Sequence, residues 1–204
     1  MSDKDVRGFN ERAAHYEGDW LGRSFHLPVQ RTTLDIAARA TPKPARILDV
    51  GCGTGALLRL AAQRFPDATR TGVDPAERMI AVATRADPTA RLIVAAAERL
   101  PFADDEFDLV VSTNSFHNWP DQPAGIAEIG RVLAPDGVLV LVDPFAIGAL
   151  RPWAVLIGKQ RRMRTKADVE AMLGAAGLRS PRWGEIIGLG PIPMIHAVTA
   201  SSSR

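Results

Sequence analysis

The chain has 204 residues, of which 46% are hydrophobic, and its formal net charge at pH 7 is only +2. This composition is sufficient for one domain with a sizeable core, and no linker, repeat or low-complexity segment divides the chain. The near-balanced charge argues against a nucleic-acid partner, the apolar runs are too short to span a membrane, and a single cysteine excludes an intramolecular disulfide. We predict one cytoplasmic domain over 1–204 without a metal, because the four histidines are scattered.

Two helical patterns precede the first predicted strand, over 6–17 and 27–40. Neither contains the apolar stretch of a cleavable signal peptide. We predict that residues 1–40 form a helical cap on the rest of the domain.

The first predicted strand, 45–50, enters a glycine-rich turn in which Gly51, Gly53 and Gly55 follow Asp49. Without a Cβ, glycine lets a ligand approach the bare backbone between a strand and a helix. A dinucleotide site spaces its glycines G-x-G-x-x-G and holds a pyrophosphate, which the Asp49 carboxylate would repel. The turn therefore favours a ligand with a positive amino or sulfonium group, and a nicotinamide cofactor stays the alternative.

The second predicted strand, 69–73, ends in Asp74, nineteen residues after Gly55. A carboxylate at the tip of this strand is placed to accept hydrogen bonds from both ribose hydroxyls of an adenosine. Pro75 follows at a natural first position of a helix, so Asp74 also fits the role of a helix N-cap. We predict the ribose role and leave the capping role open beside it.

Three more strands are predicted over 91–95, 107–113 and 137–143, and closing strands over 182–187 and 193–200. Helices separate the first five strands, so these are expected to be parallel and to present ligands at their carboxyl ends.

The later helices carry cap signals. Asp121 is predicted to begin a helix whose apolar face continues to Leu133, and Thr165 with Asp168 is predicted to begin another that ends at Gly177.

Several segments, in this order, resemble the motifs of class I S-adenosylmethionine-dependent methyltransferases of the small, single-domain type. These segments are 47–55, 72–74 with Met79 and Ile80, 97–102, 107–112, 116–119 and 128–137.

The resemblance implies an α/β fold with a doubly wound, mostly parallel seven-stranded sheet and helices on both faces. It also implies an N-terminal helical lid over 1–40, a cofactor-binding core over 41–145, and a C-terminal connector, helix and closing strands over 146–204. The implied activity is transfer of a methyl group from S-adenosylmethionine to a small-molecule acceptor by in-line displacement.

The resemblance also assigns site residues. In the family the loop after the first strand passes under the methionine part of the cofactor, and a lid residue at the position of Tyr16 folds over it. Relatives commonly have Asp where this chain has Ala96, so the usual acceptor for the adenine amino group is absent. The predicted cofactor-binding residues are Tyr16, Asp49, Gly51, Cys52, Gly53, Gly55, Asp74, Pro75, Met79, Ala97, Glu98, Leu100 and Ser112.

The acceptor pocket is predicted above the fourth strand, with Asn114, His117 and Trp119 as lining residues. The imidazole of His117 could take a proton from a hydroxyl or amine acceptor. However, this motif occurs in relatives with many substrates, so we predict a scaffold role for His117, with proximity and orientation as the main catalytic device.

The run 159–164 is rich in Lys and Arg and is interpreted as a solvated connector rather than a nucleic-acid patch. Two other functions share many of these motifs: a catalytically silent protein that binds S-adenosylmethionine, and a nicotinamide-dependent oxidoreductase. Whether the protein forms a homodimer is left open by the sequence.

Overall fold

The computed structural model describes residues 3–16, 25–147, 163–189 and 192–202. Most of the predicted basic connector, 159–164, lies outside the described residues. Seven strands form one sheet in the order β3-β2-β1-β4-β5-β7-β6, in which β1 to β5 are parallel and β7 is antiparallel to both neighbours. The strands are β1 (Arg46–Val50), β2 (Thr69–Asp74), β3 (Arg91–Val94), β4 (Phe107–Thr113), β5 (Leu133–Asp143), β6 (Leu178–Leu189) and β7 (Ile192–Ser202).

Helices connect β1 to β2, β2 to β3 and β4 to β5, and this arrangement confirms the predicted doubly wound α/β fold. The expectation of a helix between every pair of the first five strands is wrong for β3 and β4, because residues 95–106 form a loop without a helix. The described helices are α1 (Asp3–Arg12), α2 (Leu27–Ala40), α3 (Ala56–Arg64), α4 (Glu77–Ala86), a short 3₁₀ helix (Phe116–Asn118), α5 (Gln122–Val132) and α6 (Lys166–Ala175).

The predicted helix caps are present. The Asp121 side chain accepts a hydrogen bond from the amide of Ala124 at the start of α5. Thr165 and Asp168 form a reciprocal capping box at the start of α6, and Gly177 beyond its end has a φ of +74°.

Several predicted boundaries are wrong. The first helix ends at Arg12 rather than 17, α5 ends at Val132, and Leu133 already belongs to β5. The closing strands are also longer than predicted, and β7 continues to Ser202. Strand pairing explains the extension, because each antiparallel neighbour supplies hydrogen bonds that local sequence patterns do not reveal.

The sheet is buried on both faces. Leu139 and Leu141 of β5 pack into the core beneath α5 and α6, whereas Val140 and Val142 pack into the core beneath α2 and α3. Each fully buried side chain of this size contributes roughly 1.5–3 kcal/mol of transfer free energy. The continuous apolar run of β5 follows from this double covering.

Two charged residues of α5 fix the loop that follows β3. Arg131 donates hydrogen bonds to the carbonyl oxygens of Leu100 and Phe102, at 3.1 and 2.8 Å, and forms an ion pair with Glu128. A Glu128 carboxylate oxygen accepts from the amide of Leu100 at 2.7 Å. Hydrogen bonds from Arg131 lower the pKa of Glu128. This motif therefore has a structural role in shaping the loop.

The N-terminal helix packs against α4. Ala13 is buried in a small cluster with Ala76 and Met79. The N-cap of α4 is Ala76, whose side chain can accept no hydrogen bond, and the Asn10 side chain instead accepts from the amide of Arg78 at 2.9 Å. Asn10 thus caps a helix to which it does not belong, and it links α1 to the start of α4.

In the described parts of the chain, no helix combines the length and apolarity required to cross a membrane. The same parts contain no group of three or more His, Cys, Asp or Glu side chains that could hold a metal ion.

We expect Asn10→Ala to lower the free energy of unfolding by about 1 kcal/mol, because the amide of Arg78 loses its cap. Amide hydrogen exchange in residues 3–16 should accelerate more than exchange in the sheet. Asn10→Asp is the matched control, since it keeps an acceptor oxygen and should stay close to wild type. Exchange in α1 that is the same in all three proteins would contradict the docking role.

Candidate active site

A polar cleft lies at the carboxyl ends of β1, β2 and β4. The order of the strands changes direction between β1 and β4, which is where α/β sheets bind ligands. The cleft holds about 600 Å³ of empty space, part of it open to solvent. It is lined by Phe9, Tyr16, His26, Gln30, Asp49, Gly51, Cys52, Gly53, Thr54, Asp74, Met79, Thr113, Asn114, Ser115 and Asn118.

The glycine turn forms the floor of the cleft. Gly51 has a φ of +79°, and a Cβ at this position would lie 1.9 Å from Oγ of Ser115. Gly53 also has a positive φ, of +54°, but a Cβ there would meet only open space. Gly51 therefore permits close packing against the end of β4, while Gly53 leaves bare backbone facing the ligand space.

Asp74 links the glycine turn to the turn that precedes α4, and these two turns together form the floor of the cleft. One carboxylate oxygen accepts from the amide of Gly53 at 3.0 Å, and the other accepts from the amide of Ala76 at 2.8 Å. Burial raises the pKa of Asp74, and these two hydrogen bonds partly oppose the rise. Each oxygen still has a second lone pair for a ligand hydroxyl.

The N-cap role that the sequence left open for Asp74 is wrong. The N-cap of α4 is Ala76, and the first helical residue is Glu77, so Pro75 precedes the helix. Asp74 instead closes the short turn between β2 and α4 by accepting from the amide two residues later.

Asp49 is the least satisfied polar group of the cleft. Asp49 is only 1% exposed, and within the described structure its Oδ1 has no hydrogen-bond partner. Burial, with a further contribution from the Asp74 charge, raises the pKa of Asp49 to about 8. A buried carboxyl group without partners is unfavourable, and a cationic ligand would supply the missing interaction.

Aromatic side chains cover the cleft. The Tyr16 ring centroid lies 6.3 Å from that of Phe9 and 5.6 Å from that of His26. Burial raises the pKa of Tyr16, and the nearby Asp74 adds to this effect although Arg12 opposes it. Burial also lowers the pKa of His26, so the cover favours uncharged rings above the acidic floor.

Cys52 also lines the cleft. Burial raises the pKa of its thiol, and the charges of Asp49 and Asp74 raise it further. The thiolate is therefore disfavoured.

Ser112 and Trp119 are buried in structural positions. The Ser112 hydroxyl donates to the carbonyl of Val50 at 2.8 Å and joins β4 to β1. The Trp119 indole donates to Oγ of Ser115 at 3.0 Å, and its ring packs on Phe116 in the main core.

His117 lies beside the cleft but does not line it. Its Nδ1 is 2.9 Å from a carboxylate oxygen of Asp143 at the end of β5. Its Nε2 is 3.1 Å from the side-chain nitrogen of Asn118, which does line the cleft.

The structure brings together half of the residues proposed from the sequence. Those that line the cleft are Tyr16, Asp49, Gly51, Cys52, Gly53, Asp74, Met79 and Asn114. The residues that lie outside its lining are Gly55, Pro75, Ala97, Glu98, Leu100, Ser112, His117 and Trp119. The binding role of every one of these residues stays a prediction.

The sequence missed several lining residues. Ser115 stands next to the motif 116–119 and Asn118 lies within it, and their polar side chains after a predicted strand were an available signal. His26 and Gln30 gave no such signal, because they reach the cleft only when the start of α2 packs over it. The other missed residues are Phe9, Thr54 and Thr113.

We expect Asp49→Asn to stabilise the protein without ligand at pH 8. The native pKa of Asp49, about 8, lies above its unfolded value of about 3.9, so the native state holds the proton more tightly and loses stability as pH rises between these values. The gain should be roughly 1–4 kcal/mol at pH 8 and near zero at pH 4, measured by urea unfolding.

Asp108→Asn is the control for this experiment. Burial would raise the pKa of Asp108, but hydrogen bonds from Arg46 outweigh it and lower the pKa. This substitution should therefore lose stability at pH 8, whereas equal effects of both substitutions would contradict the assignment.

Comparison with known proteins shows a similarity to methyltransferases. Residues 48–141 match the family model described as a methyltransferase domain. The chain is 36% identical over 189 residues to nocamycin O-methyltransferase of Saccharothrix syringae, which covers 88% of this chain and 64% of the relative. It is 38% identical over 143 residues to demethylmenaquinone methyltransferase of Thermus thermophilus, which covers 66% of this chain and 63% of the relative.

A solved structure shows the same fold. A chain of the complex between the Haloferax volcanii Trm112 methyltransferase activator and its methyltransferase partner superposes with a TM-score of 0.80 at 18% identity, covering 96% of this chain and 98% of that one. The chain spans slightly less than two thirds of the length of each of the two curated relatives named above. The matched domain and these relatives make this chain similar to methyltransferases in sequence, and its sheet has the fold of S-adenosylmethionine-dependent methyltransferases.

Proposed function

We propose that this protein transfers the methyl group of S-adenosylmethionine to a small-molecule acceptor. The observation that carries the proposal is the pair of buried carboxyl groups, Asp49 and Asp74, on either side of a bare glycine backbone. This combination suits a ligand that has a positive charge at one end and a ribose at the other. A nicotinamide dinucleotide would instead bring its phosphates against two acidic groups.

The residues present fit this cofactor. The unpartnered oxygen of Asp49 would hold the ammonium group of the amino-acid part, and the remaining lone pairs of Asp74 would hold the ribose hydroxyls. Met79 presents a polarizable side chain for the adenine, whereas Ala96 offers no side-chain acceptor to the adenine amino group. When bound, S-adenosylmethionine supplies a methyl group on a sulfonium, which reacts with a nucleophile in line with the leaving sulfur.

The contribution of the protein is mainly placement and exclusion of water. Phe9 and Tyr16 cover the cleft from the N-terminal segment, and the Asn10 cap holds this segment against α4. We propose residues 1–40 as the lid. Charge is neutralised as a methyl group leaves a sulfonium, so a dry site that aligns the acceptor supplies much of the rate enhancement.

The acceptor is proposed to be a small metabolite that enters beside the end of β4. The curated relatives named above are methyltransferases for nocamycin and demethylmenaquinone, which supports this class of acceptor. Asn114 lines the cleft at this position, together with His26, the residue before α2.

We expect S-adenosylmethionine and S-adenosylhomocysteine to raise the melting temperature, and NAD to leave it unchanged. A ligand at one hundred times its dissociation constant adds roughly 2.7 kcal/mol to the free energy of unfolding. Differential scanning fluorimetry with the three ligands measures this. A shift with NAD alone would refute the cofactor assignment.

Asp74→Ala should weaken the binding of S-adenosylhomocysteine by roughly 1.5–3 kcal/mol, the range for hydrogen bonds to a charged group. Titration calorimetry on the folded variant gives the change in affinity. Asp67→Ala removes an exposed carboxylate just before β2, at the opposite end of this strand, and should leave the affinity unchanged. Equal affinities in both variants would remove the ribose role of Asp74.

Methyl transfer itself can be followed with methyl-labelled S-adenosylmethionine and a cell extract that contains metabolites, protein and RNA. We expect label in the small-molecule fraction. Label in protein or RNA would refute the acceptor class. Strong cofactor binding without any labelled product, in several extracts, would instead favour a binding protein that performs no transfer.

A further inference from the structure

We propose that Asp143 and His117 are positioning residues that hold the side-chain amide of Asn118 with its oxygen toward the cleft, as an acceptor for the ammonium group of the cofactor. This inference rests on the proposed function, because it assigns a further contact to the same ligand. It concerns residues that the family resemblance does not place in that role.

The chain of contacts begins at Asp143, the last residue of β5. Its side chain is only 1% exposed, and one oxygen lies 2.9 Å from Nδ1 of His117. Within the described structure the other oxygen, Oδ2, has no hydrogen-bond partner. An ionised carboxylate can only accept hydrogen bonds, so Nδ1 of His117 must carry the proton.

The tautomer of His117 then determines the orientation of Asn118. A neutral imidazole with a proton on Nδ1 has a lone pair on Nε2, which can only accept. The group 3.1 Å from Nε2 belongs to the Asn118 amide, and only its NH₂ end can donate. The carbonyl oxygen is therefore the end that is left for the cleft, which Asn118 lines. In this part of the structure that oxygen has no protein partner.

The surroundings indicate which ligand group this oxygen meets. Asn118 belongs to the same segment as Ser115, and Oγ of Ser115 lies where a Cβ on Gly51 would be. The backbone amide of Asn118 donates to the carbonyl of Ser115 at 2.9 Å, so the segment adjoins the glycine turn that follows Asp49. Two acceptor oxygens at one end of the cleft suit an ammonium group, which donates three hydrogen bonds.

This geometry also gives His117 a role other than that of a general base. Its Nε2 lone pair is directed at Asn118, and its ring does not line the cleft. In this proposal the buried Asp143 carboxylate fixes the tautomer of His117, and His117 in turn orients the side-chain amide of Asn118.

The tautomer can be tested directly by nitrogen NMR of the full-length protein with ¹⁵N-labelled histidine. His117→Gln identifies the signals of His117 among the four histidines. We expect a proton on Nδ1 and a bare Nε2 in the wild type. In Asp143→Asn the new amide can donate to Nδ1, and the proton should move to Nε2. A wild-type ring with a proton on Nε2, or on both nitrogens, would overturn the proposal.

The second test compares S-adenosylhomocysteine with 5′-methylthioadenosine, which keeps the adenosine but lacks the amino-acid part. Asn118→Ala and Asp143→Asn should weaken S-adenosylhomocysteine roughly 10- to 100-fold, as expected for a hydrogen bond to a charged group, and leave 5′-methylthioadenosine unchanged. Equal losses for the two ligands, or no loss, would overturn the role of Asn118. Tighter binding of S-adenosylhomocysteine by Asp143→Asn would also overturn this role. In that variant the NH₂ group of Asn118 would face the cleft, and tighter binding would mean that it meets the carboxylate of the ligand rather than the ammonium group.

The two proposals fail in different ways. If neither ligand binds the wild type, the cofactor assignment is wrong. If both bind the wild type and the ratio of their affinities is the same in every variant, only the role of the Asn118 orientation is wrong. Asn118→Ala changes a half-buried residue at the end of the short 3₁₀ helix and keeps the experiment interpretable if the buried Asp143→Asn variant does not fold.

Discussion

The Asp74 carboxylate is the interaction on which the cleft depends. It accepts one hydrogen bond from the glycine turn after β1 and one from the turn before α4, so a single side chain sets the distance between the two halves of the floor. The Asn10 cap then links α1 to the same helix, and Tyr16 and Phe9 come to lie above the carboxylate. The floor and the cover of the cleft thus both depend on contacts near this one acidic residue. In both, a side chain accepts a hydrogen bond from a backbone amide that has no partner within a helix or strand.

The same arrangement makes the cleft without ligand unfavourable. Asp49 and Asp74 are both buried, the charge of Asp74 adds to the effect of burial in raising the pKa of Asp49, and Asp49 has an unpartnered oxygen in the described structure. A fold optimised only for stability would place apolar side chains here. Acidic groups are retained at a site because a cationic ligand binds them, which is why the unfavourable electrostatics are themselves evidence about the ligand.

Local sequence predicted the elements well and their ends less well. The β1 strand, the glycine turn and Asp74 could be found because their signals lie within a few residues of one another. The boundary between α5 and β5 could not, because Leu133 continues the apolar helix face in sequence and is taken into the sheet through its pairing with Phe107. Likewise, Trp119 resembles a pocket residue in sequence, yet the missing side chain of Gly125 lets its ring enter the core.

The sequence by itself determined the α/β fold, the resemblance to methyltransferases and the acidic, glycine-lined floor, since these follow from periodicity and from motifs that are continuous in the chain. Only the tertiary structure decided which residues cover that floor and which side chains contact His117. His26 and Gln30 reach the cleft because α2 packs across β4 and β5, and Asp143 meets His117 because parallel neighbouring strands end side by side. Such contacts depend on distances between residues far apart in sequence, and only the packing of the sheet and its helices determines those distances.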